Sequence, residues 1–248
     1  MMAMREVCRK CSLQIQPSDV KSPLAENPSV PGERAEEGGV FSEAPELLAL
    51  LCDAGLAALA EHILLEFKAT IRDYKRLKWH AMPMVEEMAL TVSGALCGPL
   101  SALCARISAA TARLAPALAA RVRAHVATDL DHYMLQEMVL ETWFNTGGTL
   151  QFTHDVKRNL VPAFTPPNKS ASKKNLFPKL AEACNLLNMD YEDARRLHQL
   201  LSKEASLGPD SLATMGVSHI QPSEVLRILS QRTDLGDSST PSSVMELF

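Results

Sequence analysis

Residues 44–74 read APELLALLCDAGLAALAEHILLEFKATIRDY, and in them Leu48, Leu51, Leu59, Ile63, Phe67, Ile71 and Tyr74 recur at helical spacing. Pro45 suits a first helical position, with Ser42 or Ala44 ahead of it. The spacing predicts one long helix ending near Trp79, with Met82-Pro83 as its punctuation. A stripe of this kind hides its apolar side against other helices, so the expected class is all-α.

Composition outside this stretch agrees. Aromatics are only 5% of a chain that is 46% hydrophobic, so Leu and Ala carry the apolar load with few β-branched runs, as in helices rather than sheets. With 248 residues and 22% charged content, the chain can bury a core for one or two domains. A formal charge of -4 lacks the clustered basic excess that selects nucleic acid, and no nucleic-acid partner is expected.

Four segments are expected: a disordered leader over 1–41, a long-helix bundle over 42–165, a small C-terminal helical bundle over 166–235 and a disordered tail over 236–248. The leader holds Pro17, Pro23, Pro28, Pro31 and a Gly38-Gly39 pair without a sustained apolar period. Its Ile15–Val20 echoes Ile220–Val225, but no apolar helix follows the first copy, which reads as coincidence.

Met88 to Ala105 is eighteen residues without a formal charge, near the lower limit for a membrane span. Its Thr91, Ser93, Gly94, Gly98, Pro99 and Ser101 drive insertion poorly, so it reads as a buried helix bent at Pro99. The alternative is an integral or membrane-lying helical protein built on residues 88–105. A further helix starts near Pro116, carries Val122, Val126, Leu130, Tyr133, Met134 and Met138, and stops at Asn145-Thr-Gly-Gly148, where Asn and Gly suit a left-handed C-terminal cap.

Thr149 to Phe164 predicts a short helix with Phe152, Val156 and Leu160 at spacing four, ended by Pro162 and Pro166-Pro167. Three small helices follow. One carries Phe177, Leu180, Cys184 and Leu187; the next, capped by Asp190, carries Ala194, Leu197 and Leu201; the last begins at Pro222 and carries Val225, Ile228 and Leu229.

No catalytic, cofactor or metal residues are expected. His125, Asp129 and His132 could line one helix face, but a metal-binding bundle needs a second such motif and further carboxylates. Cys8 and Cys11 form a lone C-x-x-C whose nearest histidine is His62, too distant a partner for structural zinc. The six cysteines fit a reducing cytosol, and the Asn168 sequon would not meet its enzyme without a signal peptide. No nucleotide-binding or hydrolase motif occurs, and Lys173-Lys174 and Arg195-Arg196 read as solvated pairs.

The most individual stretch runs from Asp131 through Trp143-Phe-Asn-Thr-Gly-Gly148 to Asp155-Val-Lys-Arg-Asn-Leu160. It resembles the RINT/TIP family of tethering subunits, in which a helix bearing a Tyr is followed by Phe-Asn-x-Gly-Gly and an Asp-x-x-Arg-Asn-Leu-type motif. The matching positions are Tyr133, Phe144, Asn145, Gly147, Gly148, Asp155, Arg158, Asn159 and Leu160, with Tyr74 and Trp79 resembling an upstream Tyr-x-x-x-x-Trp segment. Similar residues recur at 182–188, 216–225 and 232–233, so the resemblance covers about residues 45 to 235. The first forty residues match nothing in the family, and His154 stands where an apolar residue is expected.

The resemblance implies stacked antiparallel helical bundles of the tethering helical-rod (exocyst-like) type. It implies a non-enzymatic subunit acting in Golgi-to-endoplasmic-reticulum retrograde transport, cytoplasmic and held peripherally on the reticulum membrane through its partners. Those partners are a Zeste-white-ten-type subunit, an NAG/Sec-type subunit and endoplasmic-reticulum SNAREs. The long N-terminal portion of such subunits is missing, which is expected of a fragment, a short isoform or an incomplete gene model. The Zeste-white-ten-type contact uses that portion, which leaves a SNARE-facing contact through the C-terminal bundles.

Overall fold

Helix α1 spans Ala44–Thr70 in the computed structural model, which describes residues 43–164, 175–203, 212–213 and 215–235. Pro45 lies in its first turn, as expected. Its inward face is Leu56, Ala60, Ile63, Leu64 and Phe67, whereas the predicted stripe members Leu48 and Leu51 are exposed.

The predicted single helix to Trp79 is not what forms. The backbone leaves helical geometry at Ile71 (φ -78°, ψ 1°), a short helix α2 covers Arg72–Lys75, and a 3₁₀ turn covers Trp79–Ala81. On one straight helix Tyr74 and Trp79 would sit about 140° apart around the axis, so only one could enter the core. The break lets both be fully buried.

The 88–105 tract is not one helix either. Glu87–Ala89 is a 3₁₀ turn, Leu90 is extended, and α3 runs from Gly94 to Thr111, continuing through a buried Pro99. Among the described residues, α1 is the helix long and apolar enough to cross a membrane by length and composition; α3 does not meet that standard.

Helix α4 (Pro116–Glu137) starts with Pro at its first turn and buries Val122, Val126, Leu130 and Met134. Thr111 meets Arg123 across the α3–α4 turn, while Asp53 pairs with Arg121 and Lys75 with Glu137. The register of the two ion pairs shows that α4 runs in the same direction as α1. Arg106 of α3 pairs with Glu66 at 2.5 Å; Ser93 at the start of α3 shares Asp155 with Tyr74 and Thr111 at its end bonds Arg123, so α3 runs against both and completes a three-helix bundle.

Helix α4 ends at Glu137, well before the expected stop, and a 3₁₀ turn at Val139–Glu141 leads to extended Thr142. Asn145 does not close a helix but opens one: it is the N-cap of α5 (Thr146–His154), its side chain accepting the Gly148 N–H at 2.8 Å. Neither Gly147 nor Gly148 has positive φ. The chain then continues as a π-helical segment, Asp155–Leu160, and a last turn α6, Val161–Phe164. The Val161 N–H bonds the Val156 carbonyl five residues back, a widened turn directly ahead of Pro162. Pro162 clashes with the carbonyl four residues earlier in a regular α-helix, and the wider turn gives it room.

The remaining helices are α7 (Pro178–Leu187), α8 (Tyr191–Lys203) and α9 (Pro222–Ser230). Asp190 accepts the Glu192 N–H at 3.1 Å, and Gln221 with Glu224 closes a capping box at α9. These helices are pinned to the first layer by polar anchors. Asp131 of α4 accepts the Lys179 and Leu180 N–H groups at 3.0 and 2.8 Å, and so caps α7 from outside. Phe144 and Arg232 form an isolated parallel bridge, with no strand elsewhere among the described residues. The 1–41 leader, the 236–248 tail, the Cys8/Cys11 pair, Asn168 and Lys173-Lys174 lie outside the described residues.

Candidate functional site

Trp79, held in the core by the break after α1, stacks edge-on to Tyr74 at 5.0 Å and to Phe152 at 5.9 Å, with Phe144 at 5.7 Å. Its indole Nε1 donates to the Tyr74 carbonyl at 3.2 Å, so its one polar atom is satisfied. Beside this cluster lies Asp155, fully buried in the π segment. It accepts from Tyr74 Oη (3.0 Å), Ser93 N (3.0 Å), Ser93 Oγ (2.5 Å) and Gln151 Nε2 (3.2 Å). Burial, then the neighbouring Asp155 charge, pushes the Tyr74 phenol well above its ordinary range, so it remains a donor. One carboxylate thus ties the end of α2, the entry to α3 and the helix after α5 together.

Gly147 and Gly148 are required by the same knot. A Cβ on Gly147 would sit 2.5 Å from the Met82 and Pro83 carbonyl oxygens, and one on Gly148 would collide with the Trp79 carbonyl. Asn145 completes the junction, its N–H donating to Trp79 O at 3.2 Å and its Nδ2 to Met82 O at 2.9 Å.

Of the motif positions, Tyr74, Trp79, Phe144, Asn145, Gly147, Gly148 and Asp155 therefore converge on one place. Leu160 is buried further along, and Asn159 donates to the His154 carbonyl at 3.4 Å. Arg158 is exposed, and Tyr133 is half-buried on α4 with its ring facing Lys68 and Lys75. His154 sits next to the knot with Nδ1 buried and unpartnered, 4.0 Å from Asp155 Oδ1. The convergence is one of hydrogen bonds and ring packing that fixes these segments against one another.

A second feature leaves only a faint trace in the sequence. An open groove of about 650 Å³ runs between α1 and α4, walled by Ala54, Ala57, Ala58, Glu61 and Lys68 on one side and Asp129, His132, Tyr133 and Glu137 on the other. Lys68 Nζ rests 5.1 Å over the Tyr133 ring, and Lys75 bonds Glu137 at 3.0 Å. Three alanines in five residues were the signal available in the sequence: small side chains on an otherwise Leu-rich helix leave room. His132 and Asp129, weighed as metal donors, are wall residues of this groove, with His125 half-buried one turn earlier on α4.

A family model described as the RINT-1/TIP-1 family matches residues 9–232. A "RINT1-like protein" of Drosophila melanogaster is 26% identical over 175 residues, covering 68% of this chain and 24% of its own length. Among solved structures, the crystal structure of the SNARE Sec20 bound to the Dsl1 complex subunit Tip20 is similar with a TM-score of 0.57 at 16% identity, over 79% of this chain and 35% of that one. The chain therefore spans about a quarter of the curated relative and about a third of the solved one. The shared fold is the all-α, stacked-bundle architecture expected of a tethering subunit. The family match also corrects the expected limits: it begins at residue 9 and takes in most of the stretch expected to match nothing.

Proposed function

The chain belongs to the RINT-1/TIP-1 family, and on that premise we propose that it is a non-catalytic helical module of a vesicle-tethering complex that binds SNARE and tether partners. The observation that carries this is the fold shared with Tip20, whose solved structure is a complex with the SNARE Sec20. In this reading the module serves Golgi-to-endoplasmic-reticulum retrograde transport from the cytoplasmic side, held peripherally at the reticulum membrane through its partners. The site supports this reading: the motif residues lock their segments together by hydrogen bonds and ring packing, and preorganised helical surfaces suit helix and bundle recognition.

Family partners are the Zeste-white-ten-type and NAG/Sec-type subunits and endoplasmic-reticulum SNAREs, and the SNARE contact is the one we assign to these residues. A tagged chain expressed in cells is expected to recover endoplasmic-reticulum SNAREs and to leave membranes on carbonate extraction. Recovery of no SNARE and no tether subunit would sink the reading, as would retention in the carbonate pellet, which would instead favour a span through α1.

A further inference from the structure

Helix α1 is apolar on two sides, and only one of them is used. Facing the core are Leu56, Ala60, Ile63, Leu64 and Phe67. Facing outward are Leu47, Leu51, Ala54, Ala58, Glu61 and Leu65, all exposed, with Leu51 at 69% and Leu65 at 56%. Their separations alternate four and three, the a/d spacing by which one helix receives another. The middle of this outer stripe, Ala54 to Glu61, is also one wall of the α1–α4 groove. From Ala54 to Lys68 the groove runs about 20 Å, room for roughly four helical turns.

The groove's charges define what fits. Of the charged residues that line it, Glu137 is paired with Lys75, and Lys68 lies over the Tyr133 ring and keeps its positive charge, so Glu61 and Asp129 leave the groove with a net excess of one negative charge. Among the described residues, Glu61 and Asp129 face the groove with no ion-pair partner. An acidic, concave channel is a poor match for a flat, anionic lipid surface, which draws basic residues. It matches an amphipathic helix that brings Leu or Ala to the floor and Lys or Arg to the flank.

We propose that the α1–α4 groove seats one amphipathic helix of the SNARE partner, with its apolar a/d stripe on Ala54 and Ala58 and basic residues against Glu61 and Asp129. This rests on the SNARE-binding reading above and names the surface that would carry it.

The test titrates the purified full chain with purified cytoplasmic domains of endoplasmic-reticulum SNAREs. Ala58→Arg, on an exposed position, plugs the groove, and Ala109→Arg, on the exposed side of α3, is the matched control; circular dichroism and thermal melting verify that both fold. The groove assignment expects Ala58→Arg to weaken SNARE binding at least tenfold with Ala109→Arg unaffected. It also expects the Glu61→Lys, Asp129→Lys double variant to weaken binding and flatten its salt dependence. Wild-type binding that survives Ala58→Arg and the double variant would overturn the groove assignment and leave the SNARE reading standing. Absence of wild-type binding to every SNARE domain would remove both. Binding of the chain to phosphatidylcholine/phosphatidylserine vesicles that Ala58→Arg abolishes would overturn the helix occupant in favour of a membrane.

Discussion

Gly147 and Gly148 owe their identity to proximity, not to backbone freedom. Because a methyl at either position meets main-chain carbonyls, which cannot swing aside like the tip of a long side chain, the structure must shift to admit it. Gly148→Ala is expected to cost about 1–3 kcal/mol of stability, readable as a lowered urea midpoint with an unchanged slope. Asp155→Asn should cost a similar amount, about 1–3 kcal/mol, because an amide cannot accept from Tyr74 and the Ser93 N–H and hydroxyl as a carboxylate does. Arg158 is the contrast: exposed on the π segment, its replacement by Ala should change stability by no more than about 0.5 kcal/mol. These positions stood out in the sequence as a motif, yet their roles did not. Asn and Gly after an apolar stripe resemble a helix end, and only the long-range approach of residues 79–83 shows them to be a helix start.

At the level of elements, the anchors between helices are single buried side chains. Glu182 of α7 accepts the Ser218, His219 and Ile220 N–H groups and lies 2.7 Å from His219 Nδ1. Burial alone would raise its pKa, but the hydrogen bonds from His219 and Ser218 outweigh this and hold the carboxylate below its ordinary range. Its ionised form is thus favoured by folding: the stabilisation is complete above the usual glutamate range and is lost as pH falls through the lowered value. Hydrogen exchange should show residues 218–220 losing protection as pH falls through that window, and Glu182→Gln should remove the dependence. Cys184 on the same helix has its thiol pushed up to about 11 by burial, so alkylating reagents at neutral pH should label the exposed Cys97 in preference to it. Periodicity revealed these helices well, because α7, α8 and α9 each bury one stripe. It overran the end of α1, since Tyr74 and Trp79 continue the apolar run while tertiary packing demands a bend between them.

For the whole molecule, two kinds of information separate cleanly. Apolar spacing between residues 44 and 235 conveyed an all-α chain and most of its core, since burial against neighbouring helices imposes that spacing directly. The 88–105 tract misled because a lack of charge records only the absence of solvated groups, and it took the Ser93–Asp155 bonds to show that a helix starts at Gly94. The groove was hidden for a related reason: Ala54, Ala57 and Ala58 are good helix formers whether or not space lies beside them, and only the position of α4 makes that space a channel. Under the proposed reading, the knot fixes the helices and the groove between α1 and α4 offers an alanine-lined floor flanked by Glu61 and Asp129. Isothermal titration of the purified chain with a purified endoplasmic-reticulum SNARE cytoplasmic domain puts this to the test: saturable one-to-one binding with a negative heat-capacity change is expected, and an absence of heat and of co-migration with every such SNARE would refute it.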